Sequence, residues 1–117
     1  MGGTVSWMLT LSVNDRKLDE FRALMDEMVT ATREEPGTLM YEWFLSDDGA
    51  CHLYERYTDD AATMVHLGNF GSKFAGRFLG CVTPTGFSVY GNPGAEVRQG
   101  LSALDPVYLA PFGGFAR

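Results

Sequence analysis

Apolar and polar residues alternate along Val5–Val13, with Val5, Trp7, Leu9, Leu11 and Val13 on one side and Ser6, Met8, Thr10 and Ser12 on the other. A period of two is that of a strand with one buried face, and Met8 and Thr10 leave the second face apolar enough for a sheet covered on both sides. The period then changes. Leu18, Phe21, Met25, Met28, Val29 and Thr32, widened by Leu24, fall at helical spacing, with Asn14 or Asp15 as the expected cap and Pro36-Gly37 as the stop. The methionines along this stripe either fill core space or line a cavity.

Alternation returns from Thr38 to Ser46 and from Cys51 to Thr58, separated by Asp47-Asp48-Gly49. Asp-Gly between two alternating runs predicts a hairpin, because glycine takes the positive φ of the turn. Its register stays open at this level. A two-residue turn sets Glu42 opposite Glu55, where facing carboxylates would raise one pKa; a shift of one residue sets Tyr41 opposite Glu55 and Trp43 opposite Leu53.

Asp59 is placed to cap a second helix with Ala61, Ala62, Val65 and Leu67 as apolar positions. His66 shares a face with Ala62, Asn69 and Phe70. Gly68 and Gly71 predict a break, followed by a short helix from about Ser72 to Leu79. Phe70, Phe74 and Phe78 form a stripe that is either core or the wall of an aromatic pocket. A fourth strand, Cys81–Tyr90, is expected to bend at Pro84 and Gly86. The order β-α-β-β-α-β is that of a ferredoxin-like α+β sheet. Two units follow: a main domain over residues 1–92, and an extension over residues 93–117. The extension is read as a helix from Glu96 to Leu104 capped near Asn92-Pro93, a short strand from Val107 to Ala110, and an apolar tail. That tail, carrying Phe112 and Phe115, is expected to pack on a partner subunit or over a cavity mouth.

Several of these pieces occur together in an order that resembles a known family. Glu35-Pro36-Gly37-Thr38-Leu39-Met40-Tyr41-Glu42 follows the long helix. Leu53-Tyr54-Glu55-Arg56-Tyr57 comes next, then Asp59 or Asp60, Ala62 and His66-Leu67. From Val5 to Gly91 the chain is similar to the antibiotic biosynthesis monooxygenase domain. The resemblance implies a homodimer that pairs sheet to sheet into a dimeric α+β barrel, with a ligand cavity between sheet and helices. It also implies, for some members, oxidation of phenols or quinols by O₂ without a cofactor. A related branch of the fold degrades haem with an Asn on the first strand and a Trp and His in the helical part. Here Trp7 and Trp43 fall on strands and Asn14 on a cap, so that triad is not reproduced.

Composition narrows the partners. A formal charge of -6 argues against nucleic acid, whose phosphates would be repelled. No apolar run approaches the roughly 20 residues of a membrane span, and Met1-Gly2-Gly3-Thr4 has no signal-peptide pattern, so a cytoplasmic location is expected. Cys51 and Cys81 read as buried thiols rather than metal ligands, and a metal site would need an unpatterned convergence of His52, His66 and Glu55. No cofactor or metal is expected.

The remaining chemistry is that of an apolar, aromatic cavity with few polar groups, suited to a small aromatic or apolar molecule. His66 is the candidate base, with Glu55 and Asn69 beside it, because an imidazole titrating near neutral pH suits deprotonation of a phenol or quinol. Trp7, Tyr41, Trp43, Tyr57, Phe70 and Phe74 are the candidate substrate contacts. Two functions stand at this point: a cofactor-independent monooxygenase, or a non-catalytic binding or structural dimer. In the second, His66 bonds Glu55 or a backbone carbonyl and simply holds its helix on the sheet.

Overall fold

The structure, a computed structural model, describes residues 3–117; Met1 and Gly2, the start of the N-terminal segment considered above, lie outside it. The elements follow in the order β1 (Val5–Val13), α1 (Leu18–Arg33), β2 (Thr38–Leu45), β3 (Ala50–Tyr57), α2 (Asp60–Lys73), α3 (Ala75–Cys81), β4 (Val82–Tyr90) and α4 (Ala95–Leu101). A 3-10 turn at Ser102–Leu104 and β5 (Val107–Leu109) complete them. The sheet order is β2-β3-β1-β4-β5, antiparallel up to β4, with β5 parallel to β4. The first four strands and the helices between them are the expected ferredoxin-like α+β unit. A parallel neighbour requires a crossover, and α4 supplies it.

Alternation translates directly into burial. Val5, Trp7, Leu9 and Leu11 of β1 and Cys51, Leu53, Glu55 and Tyr57 of β3 all point under the helices. Phe21, Leu24, Met28 and Thr32 of α1 close over them, while Leu18 stays exposed and Met25 half-buried. Each large apolar side chain buried here contributes about 1.5–3 kcal/mol relative to exposure. Both cysteines are free, buried thiols. Within the single chain the helices cover one face only, so Met40 and Phe44 on the other face are exposed.

The hairpin loop has three residues, Asp47-Asp48-Gly49, not two. Ser46 N–H donates to the Ala50 carbonyl at 2.8 Å and Gly49 takes φ +88°, the left-handed residue that closes such a loop. The ladder therefore pairs Tyr41 with Glu55, Glu42 with Tyr54, Trp43 with Leu53 and Leu45 with Cys51. No Glu42–Glu55 pair forms. A second tight fit sits where the chain enters β2: a Cβ on Gly37 would lie 2.4 Å from the Ala62 Cβ on α2.

Several local expectations are corrected. Lys17, which makes no side-chain capping hydrogen bond, occupies the N-cap of α1, because Asn14, Asp15 and Arg16 form a turn in which Arg16 takes φ 63°. Gly94, not Asn92 or Pro93, precedes α4, and its N–H is held by Asp60 Oδ2 at 2.9 Å. Helix α2 runs through Gly68 and Gly71 and ends at Lys73, since packing against the sheet outweighs their low propensity. Its buried positions are Thr63 and His66, whereas Val65 is exposed. The Asp59 cap forms as expected, accepting from Ala62 N–H at 2.8 Å.

Candidate functional site

Between the sheet and α2, α3 and α4 lies a cavity of about 300 Å³. Trp7, Leu9, Tyr41, Trp43 and Leu53 line its sheet side, and Phe70, Phe78, Leu101 and Leu104 line its helical side. Glu55 and His66 bring charge to this otherwise apolar wall. They arrive from opposite layers, Glu55 from the buried parity of β3 and His66 from the one face of α2 that meets the sheet.

The His66 ring is held at both nitrogens. Nδ1 lies 3.0 Å from Glu35 Oε1 and Nε2 lies 3.1 Å from Glu55 Oε1. A carboxylate only accepts, so both ring nitrogens donate and the ring is an imidazolium. Both carboxylates are themselves fastened. Glu55 Oε2 accepts from Trp7 Nε1 at 2.6 Å, and Oε1 also accepts from the Tyr57 hydroxyl. Glu35 Oε1 accepts from the Thr38 hydroxyl at 2.8 Å, and Oε2 accepts from Asn69 Nδ2 at 3.1 Å. Each carboxylate thus receives three hydrogen bonds, which is what keeps a buried charge tolerable.

Burial alone would push the His66 pKa down. The hydrogen bonds and negative charges of Glu55 and Glu35 outweigh it, and the pKa lies above its ordinary value. Aromatic faces on either side add to the support: Tyr57 lies 5.2 Å and Phe70 6.4 Å from the ring centre, the latter stacked. Burial, then the charge of Glu55, raises the pKa of both Tyr41 and Tyr57, so both remain phenols.

The candidate residues separate into three groups. Trp7, Tyr41, Trp43, Glu55, His66 and Phe70 line the cavity. Tyr57 and Asn69 stand behind it, each holding one carboxylate, and Phe74 packs in the core beside it. Trp43 forms edge contacts with Phe21, Tyr41 and Phe78, and its Nε1 has no hydrogen-bond partner among the described residues. His52 is exposed on the opposite face of β3 from Glu55, so the convergence needed for a metal does not occur. Among the described residues no cluster of His, Cys, Asp and Glu is arranged to hold a metal ion.

Glu35 was missed by sequence reasoning. It sits in the short α1–β2 connection, where a glutamate ordinarily faces water, yet it is only 8% exposed. The one available signal was its place immediately before Pro36-Gly37. The roof provided by Gly100, Leu101, Ala103 and Leu104 was also missed, because their contact with the cavity depends on how α4 docks.

Comparison with known structures supports the same architecture. MupZ from Pseudomonas fluorescens superposes with a TM-score of 0.89 at 23% identity, over 100% of this chain and 91% of that one. The likeness therefore runs through α4 and β5. Rv0793 from Mycobacterium tuberculosis gives 0.62 at 26% identity, covering 78% of this chain and 96% of its own. SnoaB from Streptomyces nogalater, described as a cofactor-independent oxygenase, gives 0.66 at 14% identity, over 80% and 96%. A search of the curated proteins finds no significant match. Among the described residues no helix is long and apolar enough to cross a membrane. The family model for antibiotic biosynthesis monooxygenase matches residues 4–73, from β1 through the whole of the His66 helix, and so the chain belongs to the antibiotic biosynthesis monooxygenase family.

Proposed function

We propose that the protein is a cofactor-independent monooxygenase acting on a small phenolic or quinol-like compound with O₂. The observation that carries this reading is the cavity of about 300 Å³, walled by aromatic rings and bordered by the Glu55–His66 pair. An aromatic substrate is desolvated by the indoles and phenyl rings, and its hydroxyl meets the pair. Removal of the hydroxyl proton yields an electron-rich anion able to reduce O₂ directly. The substrate loses two hydrogens in all, this hydroxyl proton and one from the ring carbon that gains an oxygen atom, and they leave with the second oxygen as water. In this scheme Glu55 receives the proton, His66 stabilises the charge, and Asn69 steadies Glu35 behind them. The description of SnoaB as a cofactor-independent oxygenase supports the reaction class.

The protein acts as a homodimer in this reading, with the uncovered sheet face and the exposed Phe112 and Phe115 as the contact region, and it works in the cytoplasm. Oxygen uptake with a panel of quinols and phenols tests the chemistry. Turnover that disappears in a folded His66→Ala protein supports it. The second reading, a non-catalytic binding dimer, rests on the way both His66 nitrogens are tied to the scaffold. It is favoured if ligands bind but no oxygen is consumed.

A further inference from the structure

The two ends of the cavity differ in kind. At the inner end Glu55 and His66 are 4% and 5% exposed, beside the rings of Trp7, Tyr41 and Phe70. At the outer end the lining residues reach the surface. Gly71, at the end of α2, and Ala75 and Leu79 of α3 form one lip; Gly100 of α4 and Ala103 and Leu104 of the 3-10 turn form the other. Leu79 is 55% exposed and Leu104 36%. A mouth open to water is ordinarily edged by polar side chains, yet none of these residues has one. Large apolar side chains left in water around a cavity mark a place that something apolar covers. The lips also lack rings. The aromatic surface belongs to the inner end, and the mouth offers aliphatic contact alone.

We propose that the site takes an amphiphile, a ligand whose polar end lies at Glu55 and His66 and whose aliphatic tail runs out between Leu79 and Leu104. The inference rests on the cavity being the substrate site, as proposed above, and concerns the part of the ligand remote from the reacting end. The lining stays apolar from Phe70 and Phe78 out to the two leucines, so a chain leaving the cavity buries no polar side chain on its way. Each methylene between the lips removes its own surface and that of a leucine from water together. A strongly hydrated substituent would lose water there and meet no donor or acceptor side chain in return. Leu79 and Leu104 are thus specificity-determining residues that take no part in the chemistry. Neither belongs to the buried core, so a charge can be placed at either position without entering it.

Calorimetric titration with benzyl alcohol and its para-butyl, para-hexyl and para-octyl derivatives tests the tail directly. Affinity should rise by about two- to fourfold per added methylene, fourfold being the gain for complete burial. A para-linked ether chain of the same length as octyl should bring no such gain. In Leu79→Glu and Leu104→Glu the gain from butyl to octyl should largely disappear, while benzyl alcohol binds as before. The proposal is overturned if the octyl compound binds no more tightly than benzyl alcohol, if the ether chain matches it, or if none of the alcohols binds. It is also overturned if folded variants keep the octyl gain. Should Leu79→Glu then abolish binding to phosphatidylcholine vesicles, or self-association in sedimentation, the lips belong to a membrane or to a second copy. The arms on the unmodified protein stand even where a variant folds poorly. Oxygen uptake from quinols is measured separately: an octyl gain without uptake removes the oxygenase reading and leaves the tail site standing, and uptake without the gain does the reverse.

Discussion

Tyr41 stands directly opposite Glu55 in the β2–β3 ladder, and this pairing puts both on the buried side of the sheet, under α2. A two-residue loop would have set Glu42 there instead. The added loop residue, closed by Gly49, thereby removes a carboxylate pair across the hairpin. The second carboxylate of the site comes from the α1–β2 connection, across the His66 ring.

The state of His66 should be visible directly. Nitrogen-detected NMR of the imidazole is expected to show both ring nitrogens protonated at neutral pH. Glu35→Gln should lower the pH at which the ring titrates, because it removes a negative charge 3.0 Å away. Restoring the carboxylate as Glu35→Asp should recover part of the shift. A ring that titrates at the same pH in all three proteins would contradict the arrangement.

The same group makes stability depend on pH. A folded-state pKa raised above the ordinary value near 6.5 means that the folded protein holds the proton more tightly than the unfolded chain. The contribution is then fully present below about pH 6.5 and is lost as pH rises through the raised value. Urea midpoints followed upward from neutral pH should fall, and the fall should begin at lower pH in Glu35→Gln.

Truncation of Glu55 to alanine strands three donors in the core, those of Trp7, Tyr57 and His66. The cost should be on the order of 3–5 kcal/mol, that of breaking a buried charge pair. Glu55→Gln, which keeps an acceptor, should cost less. Denaturant midpoints at constant m-value measure both.

Gly37→Ala should destabilise the fold by about 1–3 kcal/mol, the usual cost of overpacking, because its methyl would fall 2.4 Å from the Ala62 Cβ. Adding Ala62→Gly should return part of that loss, less the roughly 1 kcal/mol that glycine costs inside a helix. A double mutant no more stable than Gly37→Ala alone would show that the clash is relieved elsewhere.

The exposed tail offers a test of assembly. Phe112 and Phe115 are 105% and 82% exposed in the single chain, so they contribute little packing to it. Deleting residues 111–117 should leave the unfolding of a dilute monomer unchanged. Self-association measured by sedimentation should weaken if the tail helps to bind a second copy.

Local pattern determined a good deal about this protein. The alternation of Val5, Trp7, Leu9 and Leu11 against Ser6, Met8 and Thr10 marks a strand and its buried face, since side chains on a strand point alternately to its two sides. The spacing of Phe21, Leu24 and Met28 marks α1 in the same way, and Asp59 marks the start of α2. His66 was identifiable as the titratable residue on a half-buried helical face. What pattern could not settle was anything depending on distance through space. The hairpin register turned on one loop residue, and a shift of one reverses which side chains enter the core. Gly68 and Gly71 read as a break because propensity is local, whereas packing on the sheet keeps α2 continuous. Glu35 became part of the site only when the α1–β2 connection came to lie against α2. Its 31-residue separation from His66 has no periodicity, and the bond between them exists only because the fold lays that connection against the helix.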